Sequence, residues 1–125
     1  MVELLYKDEV YAIQGAVFDV YREMESGFLE PVYQECLSLE FGTRNIPFRA
    51  QAPLAITYKS TPLIQIYKPD FVCFEQIIIE LKASSVIADM HRAQILNYLK
   101  ATGLKLGLLV NFSAYPKARI ERFAL

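Results

Sequence analysis

The spacing of apolar residues in the first third of the chain predicts two helices. From residue 7 to residue 24, apolar side chains recur at steps of three and four, which indicates an amphipathic helix that ends at Ser26 and Gly27. A second helix is predicted to start at Pro31, which suits a first helical position, and to end at Asn45, which can adopt a left-handed cap. The apolar positions of the first helix are Val10, Ile13, Val17, Val20 and Met24.

The period changes to two in the middle of the chain. Apolar and polar residues alternate from residue 54 to 58 and again around residues 64 to 66, on either side of the turn-forming segment KSTP. This pattern predicts antiparallel strands. The run YKPDFVCFEQIIIELKA at 67–83 adds further strand on both sides of Glu75 and Gln76.

The last third of the chain predicts a helix followed by a strand. The segment ADMHRAQILNYLKATG has Asp89 near its start and Gly103 just past its end, as expected for a capped helix. The segment LKLGLLVNF is nearly all apolar and predicts a strand buried on both faces. The order α-α-β-β-β-α-β indicates an α/β fold with a mixed β-sheet flanked by helices.

Length and composition favour one globular domain over residues 1–125. A chain of 125 residues can bury a sizeable core, and no apolar run approaches the ~18 residues that a membrane span requires. A net charge of −1 argues against a protein that holds nucleic acid through bulk positive charge. The hydrophobic content of 54% leaves apolar surface for a homodimer interface.

The two cysteines indicate a reducing compartment. Cys36 and Cys73 lie in apolar stretches without the CxxC spacing of a zinc or redox site, so we expect reduced thiols and a cytoplasmic protein. The N-terminal segment MVELLYKDEVYAIQ gains acidic residues too early for a signal peptide. Because neither cysteine has the spacing of a metal site, any bound metal would be held by oxygen atoms.

Three charged residues stand out in the predicted core strands. The strand period places Glu80 and Lys82 on the same face, and Asp70 precedes Glu80 by ten residues. If the strands form a hairpin centred on Glu75 with an odd-numbered loop, Asp70 lies opposite Glu80, with Cβ atoms about 5 Å apart. A two-residue loop would instead place the two carboxylates on opposite faces.

Two carboxylates at that separation repel each other. The repulsion can be relieved by a shared proton, by a neighbouring lysine or by a divalent cation, and Lys82 alone cannot balance both charges. Carboxylate oxygens suit Mg²⁺ or Mn²⁺, which can position a phosphodiester and lower the pKa of an attacking water. The alternative is a buried ion-pair cluster with a purely structural role.

These residues resemble a known nuclease family. The segment KPD, followed after nine residues by ELK, is similar to the signature of the PD-(D/E)XK nuclease superfamily. The segment GFLEPVY resembles the GxxExxY pattern that names a bacterial branch of that superfamily, and HRAQILNYLKATGLKLGLLVNF is similar to the C-terminal half of that branch. The resemblance covers roughly residues 8–113 and implies a restriction-endonuclease-like core.

The resemblance also implies a set of site residues. Asp70 and Glu80 would be metal ligands, the backbone carbonyl of Leu81 would add a third oxygen, and Lys82 would be the catalytic lysine. Glu30 resembles the acidic residue on a helix that completes such metal sites. At the start of a helix, Glu30 can also act only through the helix dipole.

The predicted third helix carries a further group of polar residues. Gln94 and Tyr98 resemble the QxxxY element of exonuclease-like members, and helical spacing independently places His91 on the same face. Ordinary packing is the alternative for Gln94 and Tyr98. His91 is expected to line the cleft or cap a helix rather than act as a general base, and Gln51 has no assignment.

Two functions follow as expectations. The first is a Mg²⁺- or Mn²⁺-dependent nuclease that hydrolyses phosphodiester bonds of DNA, with RNA as the second choice, by means of a metal-activated water. The second is a non-catalytic domain that keeps this fold and binds a protein or nucleic-acid partner. Hydrolysis of a small phosphate ester would use the same residues.

Overall fold

The structure is a computed structural model that describes residues 5–125. The expectation of one domain over residues 1–125 and the argument against a signal peptide both include residues 1–4, which lie outside this described part. Within it, three helices occur close to their predicted bounds. They are α1 (Lys7–Met24), α2 (Glu30–Thr43) and α3 (Asp89–Thr102).

The strands of residues 5–125 form one five-stranded mixed sheet and a separate hairpin. The five-stranded sheet has the order β1-β4-β5-β6-β7, and only the β5–β6 pair within it is parallel. The fold is therefore α/β with a mixed sheet and flanking helices, as predicted. The strands are β1 (Phe48–Ala50), β2 (Leu54–Tyr58), β3 (Thr61–Tyr67), β4 (Phe71–Cys73), β5 (Ile77–Lys82), β6 (Leu106–Asn111) and β7 (Arg119–Ala124).

The register of the β4–β5 hairpin confirms the prediction that it is centred on Glu75. Phe71 pairs with Ile79 and Cys73 pairs with Ile77, so the loop has three residues. Glu75 adopts a left-handed backbone conformation in this loop, with φ of 57°. Continued by one residue, the same register places Asp70 opposite Glu80.

The strand count differs from the prediction in two ways. Strands β1 and β7 were not predicted, because β1 has only three residues and β7 is an edge strand with three charged residues in its sequence RIERFA. The predicted run of three antiparallel strands is also divided. Among the strands of residues 5–125, β2 and β3 pair only with each other and form a hairpin that packs on α3, while β4 and β5 belong to the main sheet.

The two faces of the sheet have different partners. Ile77, Ile79 and Leu81 of β5 are buried in the larger core with α1 and α2, whereas Ile78 is buried with Leu99 of α3. The strand alternation then directs Glu80 and Lys82 towards the α3 side. None of the helices within residues 5–125 is long and apolar enough to cross a membrane.

Candidate active site

Asp70 and Glu80 contact each other where β4 begins and β5 ends. The backbone N–H of Asp70 donates a hydrogen bond to Oε1 of Glu80 (3.0 Å), and the backbone N–H of Leu81 donates one to Oδ2 of Asp70 (2.7 Å). The Asp70 carboxylate thus binds an N–H group of β5 beyond the end of its ladder with β4. The structure therefore brings together the two carboxylates that the sequence analysis singled out.

Both carboxyl groups hold their protons more strongly than usual. Burial, and after it the neighbouring charge of Asp70, raise the pKa of Glu80 to about 7, against the lowering effect of the hydrogen bonds that Glu80 accepts. Burial also raises the pKa of Asp70, and the charge of Glu30 adds to this effect. The site therefore favours either a bound proton or a cation.

Lys82 lies beside the two carboxylates without being locked to them. Its positive charge lowers the pKa of both Asp70 and Glu80, although other effects outweigh it. The salt bridges found within residues 5–125 do not include Lys82, Asp70 or Glu80. No fixed cation within that range therefore neutralises the pair, and the lysine amine is available for another partner.

Glu30 reaches the same region from the start of α2. Its Oε1 accepts a hydrogen bond from the backbone N–H of Ala83 (3.3 Å), directly after Lys82. Glu30 therefore lies at the end of β5, near Asp70, Glu80 and Lys82, the other charged residues predicted for the site.

One comparison with known proteins identifies the family of this chain. A family model described as the PD-(D/E)XK nuclease superfamily matches residues 7–123. The chain belongs to the PD-(D/E)XK nuclease superfamily. No curated protein and no solved structure matches it.

The region around Glu30 gives physical reasons for residue types in this member of the superfamily. Gly27 has a φ of 120°, a conformation that a side chain would strain. The hydroxyl of Tyr33 donates to the carbonyl of Glu25 (2.6 Å) and accepts from the N–H of Phe28 (3.2 Å). Gly27 and Tyr33 therefore shape the turn from which Glu30 emerges.

Gln94 and Tyr98 are connected to the site of this nuclease-fold protein through a second tyrosine. The amide of Gln94 donates to the hydroxyl of Tyr98 (3.1 Å), and the Tyr98 ring stacks on Tyr67 with centroids 3.6 Å apart. The Tyr67 hydroxyl donates to Oε1 of Glu80 (2.9 Å). The predicted pair Gln94 and Tyr98 is therefore brought next to the residue that contacts Glu80.

Tyr67 is a site residue that the sequence analysis missed. It is buried, and burial together with the charge of Glu80 raises the pKa of its hydroxyl. The signal for it was a tyrosine at the end of a predicted strand, three residues before Asp70. Tyrosines are common in strands, so the residue type alone does not indicate the contact with Glu80. The contact is seen only once the β2–β3 hairpin is placed next to β5 in the folded protein.

His91 and Gln51 receive local roles from the structure. Nδ1 of His91 accepts a hydrogen bond from the N–H of Ala88 (3.3 Å) at the start of α3, so His91 caps that helix. The N–H of Gln51 donates to the carbonyl of Asp70 (3.1 Å), and its side-chain amide donates to Oε1 of Gln34 (3.1 Å). The backbone of Gln51 thus supports the backbone of Asp70.

The donor atoms at the end of β5 have the chemistry that a hard divalent cation prefers. Within residues 5–125, no three His, Cys, Asp or Glu side chains form a ready metal-binding group, so the closest donors are two carboxylates. Over the same range, Oδ1 of Asp70 and Oε2 of Glu80 have no protein hydrogen bond. The continued β4–β5 register also places Leu81 opposite Pro69, which has no N–H to donate to the Leu81 carbonyl. Oxygen donors of this kind suit Mg²⁺ or Mn²⁺.

Proposed function

We propose that this protein is a Mg²⁺- or Mn²⁺-dependent nuclease that hydrolyses phosphodiester bonds, of DNA in preference to RNA. The observation that carries the proposal is the contact between Asp70 and Glu80, two partly buried carboxylates with raised pKa values and with Lys82 beside them. Repulsion between two partly buried carboxylates destabilises the fold, so a purely structural role does not explain the pair. A divalent cation bound between them would remove that repulsion. Membership in the superfamily supports the same reaction class.

The proposed metal ligands are the oxygens gathered at the end of β5. Asp70 and Glu80 would hold the cation through their carboxylates, with the Leu81 carbonyl and Glu30 as further oxygen donors. When bound, the divalent cation would supply Lewis acidity to the phosphate and lower the pKa of an attacking water. The charge of Glu30 already acts on Asp70, whose pKa it helps to raise.

Lys82 would act on the phosphate and on the attacking water. Its ammonium can donate hydrogen bonds to a water or to a phosphate oxygen, and it would stabilise the negative charge that grows on the phosphorane. Gln94 and Tyr98 would act at the rim of the site, because their hydrogen-bonded pair stacks on Tyr67. Tyr67 would hold Glu80 in the orientation that binding requires.

Further features support finer assignments. The positions of Gly27, Glu30 and Tyr33 support membership in the GxxExxY branch, because each has a defined role in one turn. Free Cys36 and Cys73 are in keeping with a cytoplasmic protein. The outer face of β3, where Ile64 is 97% exposed, is apolar and supports self-association into a homodimer.

The test is cleavage of a substrate panel by purified protein. Linear duplex, circular and single-stranded DNA and single-stranded RNA are incubated with Mn²⁺, with Mg²⁺ and with excess chelator, alongside Lys82→Ala prepared identically. We expect metal-dependent cleavage that the chelator stops and that Lys82→Ala lacks. Equal cleavage by wild type and Lys82→Ala would assign the activity to a contaminant and reject the proposal.

A second candidate function is a non-catalytic domain that binds a partner. It is favoured by the absence of a ready three-carboxylate group within residues 5–125, where Glu30 binds the Ala83 N–H instead. A domain of this kind would gain no stability from Mn²⁺, and that result together with no cleavage would select it over the nuclease.

A further inference from the structure

Asn111 is a polar side chain in an otherwise apolar set of buried residues. Apart from the hydroxyls of tyrosines, it is the one buried polar side chain within residues 5–125, at 6% exposure. It is the last residue of β6, and in the parallel register it lies next to Lys82. Burying an amide is unfavourable unless all of its hydrogen-bonding groups find partners.

The Asn111 side chain binds the backbone of the segments that follow β5 and β6. Its Nδ2 donates to the carbonyl of Ser84 (2.9 Å), and its Oδ1 accepts from the N–H of Ser84 (3.4 Å) and of Ser113 (3.0 Å). The next residue, Phe112, donates its N–H to the carbonyl of Lys82 (2.9 Å). Asn111 therefore joins the chain that leaves β5 to the chain that leaves β6.

These hydrogen bonds occur beyond the point where β5 is paired with β4. Strand β4 pairs with β5 only as far as Ile79, so the chain after Lys82 has no strand on that side. There, Glu30 accepts the Ala83 N–H, while Asn111 holds Ser84. The two residues that follow Lys82 are thus each held by a side chain from a different element.

We propose that Asn111 is a positioning residue for the nuclease reaction: it fixes the segment Ala83–Ser84 and thereby the placement of Lys82 and of the N–H that Glu30 binds. This inference rests on the proposed function. An aliphatic residue of similar size would satisfy the burial at this position, but it could not bind both the N–H and the carbonyl of Ser84. The amide is therefore suited to holding a loop and not only to filling a core.

The test compares Asn111→Ala with Val110→Ala. Val110 is fully buried on the same strand, so both variants lose core contacts, but only the first loses the bonds to Ser84. Asn111→Asp keeps the oxygen that accepts from Ser84 and Ser113 and replaces the donor with an acceptor facing the Ser84 carbonyl. All variants are assayed with Mn²⁺ at a temperature where each is folded by circular dichroism.

We expect Asn111→Ala and Asn111→Asp to lower kcat by roughly 10- to 100-fold, the scale of a misplaced catalytic group, with KM for substrate within about threefold of wild type. Val110→Ala should keep kcat within about threefold while losing a comparable amount of thermal stability. Equal losses of kcat in Asn111→Ala and Val110→Ala would overturn the inference, as would full activity in Asn111→Ala.

Amide hydrogen exchange separates this inference from the proposed function. Asn111→Ala should speed exchange of the amides of residues 83–85, while Val110→Ala should leave them closer to wild type. Unchanged exchange at residues 83–85 in Asn111→Ala overturns the positioning role whether or not the protein cleaves nucleic acid. A wild-type protein that cleaves nothing rejects the proposed function and with it the catalytic part of the inference, while the exchange data still decide whether Asn111 fixes the segment.

Discussion

The backbone N–H of Asp70 donates a hydrogen bond to Oε1 of Glu80, so two residues with repelling side chains are held together by the main chain of one of them. The contact follows from the β4–β5 register, which is centred on Glu75. Because the loop and the buried strands fix that register, the two residues stay opposite each other for as long as the hairpin is folded. The repulsion between their carboxylates therefore destabilises the folded protein unless a proton or a cation is bound.

The pH dependence of stability should reveal this repulsion in the absence of metal. Glu80 holds its proton up to a pKa of about 7 in the folded chain, against 4.5 for an ordinary glutamate. Between these values the folded chain binds more protons than the unfolded chain, so the free energy of unfolding falls as pH rises. For Glu80 alone we expect a loss of about 3.5 kcal/mol, at ~1.4 kcal/mol per unit over the difference between a pKa of about 7 and one of 4.5.

Urea denaturation with a chelator at pH 5, 6, 7 and 8 measures this slope. Glu80→Gln should flatten much of it and should be more stable than wild type at pH 8, because the neutral amide keeps an oxygen for Tyr67 and Asp70. Glu23→Gln, a change at an exposed position of α1, serves as the control and should leave the slope intact. A wild-type curve that rises from pH 5 to pH 8 would contradict the raised pKa.

A divalent cation should stabilise the protein through the same carboxylates. At a Mn²⁺ concentration 100 times Kd, the expected gain in the free energy of unfolding is about 2.7 kcal/mol. The gain should be larger at pH 8 than at pH 5.5, because protons compete with the metal for Asp70 and Glu80. Thermal melts across a Mn²⁺ titration measure it.

Asp70→Asn is the matched variant for the metal titration, since it keeps the shape of the side chain and removes one charge. It should melt at nearly the same temperature with and without Mn²⁺. If Asp70→Asn gained as much stability from Mn²⁺ as wild type, the metal would bind elsewhere in the protein.

The sequence was sufficient for the centre of the site and insufficient for its surroundings. Asp70, Glu80 and Lys82 could be placed on one face because strand alternation and loop parity are local rules. The contact of Tyr67 with Glu80 depends on how the β2–β3 hairpin leaves the main sheet and packs on α3, which local patterns do not determine.

The same limit explains the strands and polar contacts that the sequence did not predict. Strand β1 is three residues long, too short for an alternation to be recognised, and it is defined only by its pairing with β4. Asn111 is at the end of an apolar run, where its type alone indicates a turn or cap. Its role depends on the parallel pairing that brings it beside Lys82.

Lys82→Ala should remove cleavage while leaving metal binding in place. The lysine forms no salt bridge within residues 5–125, so with Mn²⁺ bound to neutralise Asp70 and Glu80 its loss should change the melting temperature little. We expect kcat to fall by at least about 100-fold, the scale for removal of one group that stabilises a transition state. Single-turnover cleavage rates measure the effect.

Lys68→Ala is the control for that experiment, because Lys68 is exposed and lies two residues before Asp70. It should weaken substrate binding by a small factor through the loss of one charge, with kcat kept. A comparable loss of kcat in Lys68→Ala would show that the assay responds to net charge near the site and not to Lys82 in particular.

Tyr67→Phe should disturb Glu80 without breaking the stack on Tyr98. It removes the hydroxyl that donates to Oε1 of Glu80 and keeps the ring, whose centroid lies 3.6 Å from that of Tyr98. Because one hydrogen bond to a carboxylate is lost, we expect a decrease of about 1–3 kcal/mol in the free energy of unfolding at pH 8. Mn²⁺ affinity, measured by calorimetry, should also fall.

Tyr98→Phe provides the comparison for Tyr67→Phe. It removes a hydroxyl that contacts Gln94 and not Glu80, so the affinity for Mn²⁺ should stay close to the wild-type value. If both variants bound Mn²⁺ equally well, the Tyr67 hydroxyl would have no part in holding Glu80 for the metal.

Tyr33→Phe should remove the hydrogen bonds that hold the turn before Glu30 and keep the packing of the core. The ring stacks on Phe112 with centroids 4.2 Å apart and should stay in place, while the bonds to the Glu25 carbonyl and the Phe28 N–H are lost. The cost is about 1–2 kcal/mol in the free energy of unfolding. Tyr21→Phe, which loses one hydroxyl bond to the Ala114 carbonyl, should cost a similar amount. Because only Tyr33 shapes the turn before Glu30, cleavage should fall in Tyr33→Phe and persist in Tyr21→Phe, and equal rates in the two variants would contradict a role for that turn in the reaction.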